Sequence, residues 1–492
     1  NVTIEGGVVT QNRTTQCYSG SGGGVYASCD STLALNDVEI SFNTSVSSGG
    51  GVCGPAQLQG CEVRGNFAQF GGGLHDPCGA LQAVACTLAN NSAGGCMDEG
   101  GAGGGAYGGT YVTCTFTGNV AFQSDCSTDD GRGGGAMLAT LVDCSLLQNR
   151  ATRGGGASDC TVSGGLVDGN RAEIAGGGLY RGSALASVVR FNRAVGLDCW
   201  GPPFEGRGGG LNRVAAESCV IHDNQAQSGG GAADGCSLER CTLWGNSASV
   251  QGGGVFEEHF TSSLRNSIVW SNTPQELASI GGSLNANYSD IGGGWPGTGN
   301  LASDPRVWDA LAFDFHLKPN SICIDAGDPS SALDPDGTRA DMGALPFDPN
   351  WCPVPVVFCT AKTNSQGCVP AIGFSGTARL SGPDDFVIRA TNVINRQSGL
   401  VLWSRNATAL PFQGGTKCVA QPSIRGPLMN SAGNPPPDDC SGVYSFAFTH
   451  AYMAANGVVA GDTLFAQCWY RDPASLPFST GLTDALRLSI CP

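Results

Sequence analysis

The residues best suited to acid–base chemistry form three short groups: HD at 222–223, EEH at 257–259 and DD at 129–130. Inverting cleavage of a glycosidic bond needs two carboxyl groups ~6.5 to 9.5 Å apart, and eliminative cleavage needs a base beside calcium ligands. The HD group adjoins the repeated Asn224 and is interpreted as a solvated pair at a strand end. The EEH group is interpreted as a surface turn, and the DD group lies in an inserted loop (CSTDDGR). We therefore assign no catalytic residue and expect no enzyme activity.

A second candidate for chemistry is the DPDG segment at 334–337. Asp334 and Asp336, with Asp328 and Asp341 nearby, offer the oxygen ligands that Ca²⁺ prefers, although the Glu that closes an EF-hand loop is missing. The other interpretation is a turn in which Asp side chains accept hydrogen bonds from backbone amides. Both interpretations stay open at this point, and no other cofactor is expected.

The cysteines and the charge limit the class of protein. The chain has 23 cysteines but five histidines and no pair of CxxC motifs, so zinc sites are not expected. So many cysteines favour disulfide bonds and an oxidising compartment, which predicts a secreted protein. A net charge of −16 argues against nucleic acid as a partner. The sequence contains no long apolar run, so no membrane span is predicted.

An asparagine recurs at a fixed place in a repeat that fills much of the chain, as in DCSLLQNRATRGGG at 143–156. Eight of these asparagines are followed two residues later by Ala, and ten of the eleven lead into three glycines. The shortest distances between glycine triplets are 21 to 23 residues, a period typical of solenoids. The asparagines are Asn12, Asn43, Asn66, Asn91, Asn119, Asn149, Asn170, Asn192, Asn224, Asn246 and Asn272.

Apolar residues alternate ahead of each asparagine, as Val142, Cys144 and Leu146 do before Asn149. A period of two predicts β-strand, and the helical half of a leucine-rich repeat is missing. Three short strands per repeat predict a right-handed parallel β-helix of about 11 to 13 coils, stacked ~4.8 Å apart. The expected fold class is all-β, with this β-helix followed by a small β-sandwich-like domain.

The geometry of such a coil explains why asparagine and glycine recur at its corners. Asn tolerates the left-handed backbone region, and its amide can bond to the asparagines of the coils above and below. The three glycines predict a second sharp turn, where φ is positive or a side chain would meet the next coil. The Ala after each asparagine is expected to point inward.

Cysteines recur five residues before the asparagine and are expected to form an inward column, either as buried thiols or as strained disulfides between coils. Its members are Cys61, Cys86, Cys114, Cys144, Cys219 and Cys241. Four others, Cys17, Cys96, Cys126 and Cys199, lie in insertions between the asparagine and the glycines. They are predicted to pair with nearby cysteines such as Cys29, Cys78, Cys160 or Cys236.

The segment DFHLKPNSICIDAGDPSSALDPDGTRADMGALPF at 314–347 carries SxCIDAGD, DxDGxxR and DxGA elements. It resembles the closing segment of bacterial secreted β-helix proteins of the choice-of-anchor type. The resemblance implies a last coil and cap, with Cys323 pointing inward. The predicted domains are a β-helix over 1–290, closing coils and cap over 291–350, and a disulfide-rich all-β module over 351–492.

The last module has alternating strand candidates and no repeat, which predicts a sandwich. Its CTAKTNSQGC, PFQGGTKCV, NPPPDDCSG and CWYRDP segments resemble a carboxyl-terminal module of large secreted bacterial surface proteins, which implies a location rather than an activity. Cys352, like six other cysteines of the module, is a disulfide candidate, and one of the seven is left over for the β-helix or another chain. The six are Cys359, Cys368, Cys418, Cys440, Cys468 and Cys491.

Three functions are compatible with such a fold. β-Helices often carry pectate lyases and polygalacturonases, but the NxD, GHG and RIK elements of the latter are missing. Trp200, Trp244, Trp270 and Trp295 suit sugar stacking, although core or loop packing is the commoner role. Because the sequence starts in an uncapped coil, we expect head-to-tail self-association into a filament or surface layer. The alternatives are a monomeric adhesin or carbohydrate-binding surface protein, and a polysaccharide lyase or hydrolase.

Overall fold

The structure is a computed structural model that describes residues 2–14, 21–94, 100–121, 131–196 and 206–492. The chain divides into two compact units, Asn1–Pro305 with Ile322–Pro346, and Arg306–Ser321 with Phe347–Pro492. The stretch 306–321, which the sequence analysis placed in the closing coils, therefore belongs to the second unit. No helix in the described ranges is long and apolar enough to cross a membrane.

The first unit is a parallel β-helix built from three sheets, as the sequence predicted. The first sheet has 21 strands and contributes two segments to most coils. Its strands are Val2–Glu5, Val25–Tyr26, Leu33–Asn36, Val52–Cys53, Ala56–Gln59, Leu74–His75, Gln82–Val84, Ala106–Tyr107, Thr110–Val112, Ala136–Met137, Thr140–Val142, Ala157–Ser163, Leu179–Leu185, Leu211–Asn212, Ala215–Glu217, Ala233–Asp234, Ser237–Glu239, Val255–Glu257, Thr261–Arg265, Leu277–Ser279 and Ser283–Asn287.

The second and third sheets have 12 and 8 strands. The second contains Val8–Thr10, Glu39–Ser41, Glu62–Arg64, Thr87–Ala89, Thr115–Thr117, Ser145–Leu147, Leu166–Asp168, Val188–Arg190, Val220–His222, Thr242–Trp244, Ile268–Trp270 and Asp290–Ile291. The third contains Phe67–Ala68, Ser92–Ala93, Val120–Ala121, Arg150–Arg153, Arg171–Ala175, Arg193–Ala194, Gln225–Ala226 and Ser247–Ala248.

Identical positions of successive coils lie directly above one another. Leu146 in the second sheet pairs in parallel with Phe116 on one side and Val167 on the other, and all three side chains are fully buried. Ala151 in the third sheet is likewise stacked between buried alanines. The strands therefore fill the interior with continuous columns of apolar side chains, which is the core of this unit.

The repeated asparagines form one hydrogen-bonded ladder from Asn12 to Asn272. Each side-chain Nδ2 donates to the Oδ1 of the asparagine one coil further on, at 2.9 or 3.0 Å. The same Oδ1 also accepts the backbone N–H of the preceding asparagine, as Asn170 does from Asn149 at 2.9 Å. Nδ2 finds a second acceptor in the coil before, such as the Phe116 carbonyl for Asn149 at 3.0 Å. Every polar atom of a buried rung amide thus has partners.

The left-handed conformation lies one residue earlier than the sequence analysis placed it. None of the eleven rung asparagines has a positive φ, whereas each residue directly before them has φ between 53° and 65°, Gln148 at 54° being typical. The asparagine is needed for its amide, and the turn of the backbone is made by its neighbour. This place accepts Phe42 and Phe191 as well as glycine.

The glycine triplet combines the two properties expected of it. Gly154 has φ 64°. A Cβ on Gly155 would lie 2.4 Å from carbonyl oxygens of the next coil, and one on Gly156 would lie 2.7 Å from the Gly178 oxygen. The first glycine is therefore needed for its positive φ, and the other two are needed because stacked backbones approach too closely to leave room for a side chain.

The cysteine column is made of buried thiols that serve as hydrogen-bond acceptors. The backbone N–H of Cys86 points at the Sγ of Cys114, and that of Cys114 at the Sγ of Cys144, both at 3.4 Å. In later coils serine takes the same place, because the Cys241 N–H donates to the Ser267 Oγ at 3.1 Å. Ser187 and Ser267, like the cysteines, lie five residues before a rung asparagine, so the spacing carried a signal that the sequence analysis missed.

Both ladders end on side chains that are not part of the repeat. Glu276 Oε2 accepts the backbone N–H and the Nδ2 of Asn272, at 3.1 and 2.6 Å. The cysteine and serine column ends at Ser289, whose Oγ accepts the Ser267 N–H at 3.2 Å and whose own N–H donates to the Oδ1 of Asn300 at 3.1 Å. Burial raises the pKa of Glu276 to about 7. The closing coils thus supply an acceptor wherever a further rung would have supplied one.

The segment 322–346 covers the outer face of the second sheet. The Ala344 N–H donates to the Thr242 Oγ1 at 3.0 Å, and the Gly343 N–H to the Asn266 carbonyl at 2.8 Å. Gly343 has φ 108°, and a Cβ there would lie 2.8 Å from Ile268. This segment shields strands of the last coils from the side.

The second unit is antiparallel. A hairpin joins Val307–Asp309 to Asp314–Leu317 through the 3-10 turn Ala310–Ala312. A six-stranded sheet faces a three-stranded sheet, and Trp403, Leu464, Phe446 and Ile388 from the two share one apolar core. The six-stranded sheet contains Val356–Phe358, Thr480–Ser489, Thr463–Arg471, Ser398–Ser404, Ile424–Arg425 and Met429–Asn430; the three-stranded sheet contains Ala371–Ser375, Val387–Val393 and Gly442–Ala447; a further hairpin is Ala407–Phe412 with Gly415–Val419, and the helix is His450–Ala455.

Disulfides in the described residues join Cys29–Cys78, Cys352–Cys491, Cys359–Cys418 and Cys368–Cys440. Cys468, a predicted disulfide candidate, instead carries a fully buried free thiol, because its strand lies in the middle of the six-stranded sheet. Cys29 and Cys78 bond to each other rather than to the inserted loops, and Cys160 and Cys236 are buried free thiols of the β-helix. The loop candidates Cys17, Cys96, Cys126 and Cys199 lie outside the described residues.

Replacing Asn149 with Ala tests the asparagine ladder. It removes the acceptor of two donors of Asn119, and each unsatisfied buried donor costs ~1–3 kcal/mol. We expect the guanidinium midpoint of β-helix unfolding, followed by far-UV circular dichroism, to fall clearly. The matched control is Asn12→Ala at an exposed rung, which should have a much smaller effect. Equal effects of the two substitutions would contradict the proposed role of the buried amide.

Cys144 offers a test of the thiol column. Cys144→Ala leaves the Cys114 N–H without an acceptor in the core, at a cost of ~1–3 kcal/mol, whereas Cys144→Ser keeps one. We therefore expect the serine variant to unfold at higher denaturant than the alanine variant, although serine is the more polar residue. The opposite order would show that the column acts as an apolar filler.

Candidate functional site

His222 is buried rather than solvated as the sequence analysis expected. It is 1% exposed because its ring packs edge-on against Phe191, with centroids 5.8 Å apart. Its Nδ1 lies 2.8 Å from Asp223 Oδ2, and burial lowers the pKa of His222. The imidazole is therefore held neutral in a packed position and is not poised as an accessible base.

Glu257 also differs from the expected surface turn. It ends the strand Val255–Glu257 and is fully buried, with Oε2 accepting from the Ser262 hydroxyl at 2.7 Å and Oε1 from the Phe260 N–H. Glu258 forms an ion pair with Arg207. These bonds fix the turn that follows the strand, which is a structural role.

Asp234, which the sequence analysis did not single out, lies one coil before Glu257 and is 1% exposed. Its Oδ2 accepts from Asn212 Nδ2 at 2.6 Å, while its Oδ1 has no hydrogen-bond partner. Burial, with a smaller contribution from the negative charge of Glu257, raises the pKa of Asp234 to about 7. A carboxyl group with a displaced pKa is typical of acid–base catalysts, but the side chain of Asp234 is closed off from substrate by its burial.

The candidate calcium ligands are occupied by backbone amides, in line with the turn interpretation. Asp336 Oδ1 accepts the Thr338 N–H at 2.9 Å, and Asp334 Oδ2 accepts the Asp341 N–H at 2.6 Å. Asp328 Oδ1 similarly accepts the Ser330 N–H at 2.8 Å. Across the described ranges, no group of three or more His, Cys, Asp or Glu side chains is arranged to hold a metal ion.

The tryptophans named from the sequence do not converge on a site. Trp244 and Trp270 are half-buried neighbours on the outside of the second sheet, in register in adjacent coils. Trp295 packs partly buried against the β-helix core. Trp200, like Asp129 and Asp130, lies outside the described residues.

The second unit contains a pocket that the sequence analysis missed, which we call the Trp351 pocket. It has a volume of about 370 Å³. The hairpin, the segment after it and the ends of two long strands line it: Trp308, Asp309, Ala312, Asp314, Trp351, Pro353, Val354, Val356, Thr463, Phe465, Arg487 and Ser489. Because these residues come from four separate stretches of chain, no local motif announces them.

One wall of the Trp351 pocket is aromatic. The Trp351 ring stacks on His316, with centroids 3.9 Å apart and planes at 20°, and remains 39% exposed. His316 is itself held by Asp314, whose Oδ1 accepts from Nδ1 at 2.8 Å. Trp308 lines the pocket with 6% exposure. The exposed indole is thus presented in a fixed orientation.

The polar wall carries both signs of charge. Arg487 on the strand Thr480–Ser489 forms an ion pair with Asp309. Asp309 Oδ1 also accepts the Ala312 N–H at 3.3 Å, which holds the carboxylate at the start of the 3-10 turn. Thr463 and Ser489 add hydroxyl groups from paired positions of adjacent strands. Such a wall offers fixed donors and acceptors beside an apolar ring, the combination by which pockets orient small polar ligands.

Comparison with known proteins does not identify a function for this chain. No protein-family model matches the chain, and no curated protein matches it. Among solved structures, the crystal structure of pectate lyase Pel9A matches with a TM-score of 0.34 and 15% sequence identity, over 70% of this chain and 87% of that one. A similarity this low supports no conclusion about fold or activity.

The pH dependence of stability tests the burial of Asp234. An unfolded Asp ionises near pH 4, whereas the folded group stays protonated up to about pH 7. The folded state binds the extra proton between these values, so stability falls as pH rises from about 4 to 7. We expect Asp234→Asn to weaken this fall, as measured by thermal unfolding of the β-helix at pH 4 to 8.

Asp290→Asn is the matched comparison, because burial raises the pKa of Asp290 to about 6. Its effect should be confined to the range from about pH 4 to 6. A pH profile of Asp234→Asn that coincides with that of the unsubstituted protein would mean that Asp234 is ionised in the folded state.

Proposed function

We propose that this protein is an extracellular glycan-binding protein, in which the β-helix is a rigid scaffold and the C-terminal unit binds sugar. The observation that carries the proposal is the Trp351 pocket, where a fixed, partly exposed indole lies beside an Arg487–Asp309 pair. An aromatic face suits the C–H face of a sugar ring, and charged groups form strong hydrogen bonds with hydroxyls. The ligand class that fits is a neutral saccharide.

The charge of the Trp351 pocket favours a neutral rather than an ionic ligand. Asp309 and Arg487 neutralise each other, and Asp314 is bonded to His316. No lining cation is left without a carboxylate nearby, so an acidic ligand gains little. Sugar hydroxyls both donate and accept, and they match a wall that contains both kinds of group.

An extracellular location is supported by the cross-links of the described residues. Three disulfides bind together the module that contains the pocket, and Cys29–Cys78 joins coils of the β-helix. Such bonds persist in oxidising compartments. A pocket on a disulfide-bonded module is suited to glycans at a cell surface or in its matrix, as in an adhesin.

The two other functions considered from the sequence have weaker support. Self-association into a filament or surface layer stays a prediction. Lyase or hydrolase activity needs accessible acid and base groups, whereas His222, Asp234 and Glu257, described above, are buried.

Direct binding tests the proposal. The purified full chain is screened on an array of neutral oligosaccharides, and the dissociation constant of a hit is measured by titration calorimetry. Trp351→Ala removes the stacking face, so we expect at least ~10-fold weaker binding. The matched control is Leu311→Ala on the neighbouring turn, where an apolar side chain is 95% exposed but does not line the pocket.

Two results would overturn the proposal. One is the absence of any neutral glycan ligand. The other is binding that Trp351→Ala leaves unchanged, since the sugar would then lie elsewhere.

A further inference from the structure

A second cavity of about 240 Å³ lies in the same unit, and its lining is cationic. Lys417 and Arg425 line it together with Phe412, Gln413 and Trp469. Neither aspartate nor glutamate is among its lining residues. In a chain with net charge −16, two cations that face one cavity without a carboxylate need an explanation.

Lys417 is the central observation. It lies on the strand Gly415–Val419 and is 9% exposed, so nearly all of it is buried. Its ammonium lies 5.7 Å from the centroid of the Phe412 ring. Within the C-terminal unit, all of which is described, the ammonium has no ion pair and no hydrogen bond. The ammonium therefore has the cavity as its polar surroundings, and partial burial, with repulsion from Arg425, lowers the pKa of Lys417.

Lys362 shows what a structural lysine looks like in this unit. Its Nζ donates to the backbone carbonyls of Gln413 and Thr480, at 3.0 and 2.6 Å. The Lys362 ammonium therefore finds its hydrogen-bond acceptors within the protein. The ammonium of Lys417 lacks such acceptors and faces the cavity, so an acceptor from outside would complete its surroundings.

Gln413 presents a third donor. Its Oε1 already accepts from Trp469 Nε1 at 2.9 Å and from Thr480 Oγ1 at 3.0 Å. These two bonds fix the amide, and its Nε2 makes no hydrogen bond within the described unit. The cavity therefore combines two cations and an amide donor with the rings of Phe412 and Trp469.

We infer that this cavity binds the carboxylate of an acidic sugar, a hexuronate, between Lys417 and Arg425. The sugar ring lies against Trp469 and Phe412, and a hydroxyl accepts from Gln413. The volume suits one such residue rather than a segment of a macromolecule. The inference deepens the proposed function by adding an acidic class of saccharide, and it rests on a cavity different from the Trp351 pocket.

The small number of lysines makes a direct test available, since the chain has three: Lys318, Lys362 and Lys417. Reductive methylation with ¹³C of the full chain gives one dimethylamino signal for each, and that of Lys417 is assigned from Lys417→Arg. Glucuronate should shift this signal saturably and raise the pKa of Lys417, because an anion stabilises the charged form. Glucose should not shift it, and acetate and sulfate should act at least ~10-fold more weakly, since they offer no ring to the aromatic residues.

Calorimetry on unmodified protein provides the second arm. Lys417→Met should weaken glucuronate binding at least tenfold, because it removes one of the two cations that line the cavity. The unfolding temperature should stay nearly unchanged, because the substitution breaks no ion pair or hydrogen bond of the ammonium. Arg389→Gln is the matched control, since it removes an exposed cation of the same unit that does not line the cavity. It should change neither quantity.

Three outcomes would overturn the inference: glucuronate binding that survives Lys417→Met, equal shifts with acetate or sulfate, or loss of glucuronate binding in Trp351→Ala. The last would place the acidic sugar in the Trp351 pocket and leave the proposed function standing. If no neutral glycan binds the unsubstituted protein while glucuronate does, the proposed neutral-glycan site is overturned and this inference stands.

Discussion

Each buried rung amide must find acceptors for two N–H bonds and donors for one oxygen, and this requirement sets the register of the β-helix. The bonds join asparagines that are 21 residues apart in one coil and 32 apart in another. The ladder thus stays continuous although the coils differ in length. A slip of one residue would move the asparagine Oδ1 away from these donors, and their unmet hydrogen bonds would penalise it. Insertions are tolerated because they enter between the asparagine and the glycines, away from the ladder.

Much of this architecture can be predicted from the sequence because the repeat keeps the same residue types as well as a regular spacing. The alternation before Asn149 predicts the strand, and the Asn and Gly periods predict corners, so the coil and its stacking follow. The backbone conformation at the corner does not follow, because propensity points to asparagine while the neighbouring residue is the one that turns. Gln148 and Phe191 adopt a left-handed conformation that their types disfavour. Stacking on both sides enforces it.

The candidate sites are harder to foresee for a different reason. Trp351 and Arg487 line one pocket although Trp351 lies outside any strand and Arg487 lies on the strand Thr480–Ser489, and no spacing in the sequence encodes that proximity. Lys417 gives no local signal either, since what distinguishes it is the lack of an acceptor around it. Asp234 occupies a position on the first sheet where neighbouring coils carry Asn212 and Phe256, so its burial is visible only in three dimensions. The periodic part of the sequence therefore predicts the β-helix. The candidate sites do not follow the period and are recognised only in the three-dimensional structure.

The carboxylate of Glu276 at the end of the asparagine ladder gives the column a direction. Every bond between asparagines in the ladder runs from an earlier coil to a later one, so interior rungs are interchangeable: each accepts from the asparagine before it and donates to the asparagine after it. Whole coils can in principle be added or removed between Asn12 and Asn272 without altering the chemistry of either end. A β-helix cut after an earlier rung would instead leave two bare donors, unless a residue equivalent to Glu276 moved with the cut. The length of the scaffold is then variable in steps of one coil, and the terminating acid is the part that has to be kept.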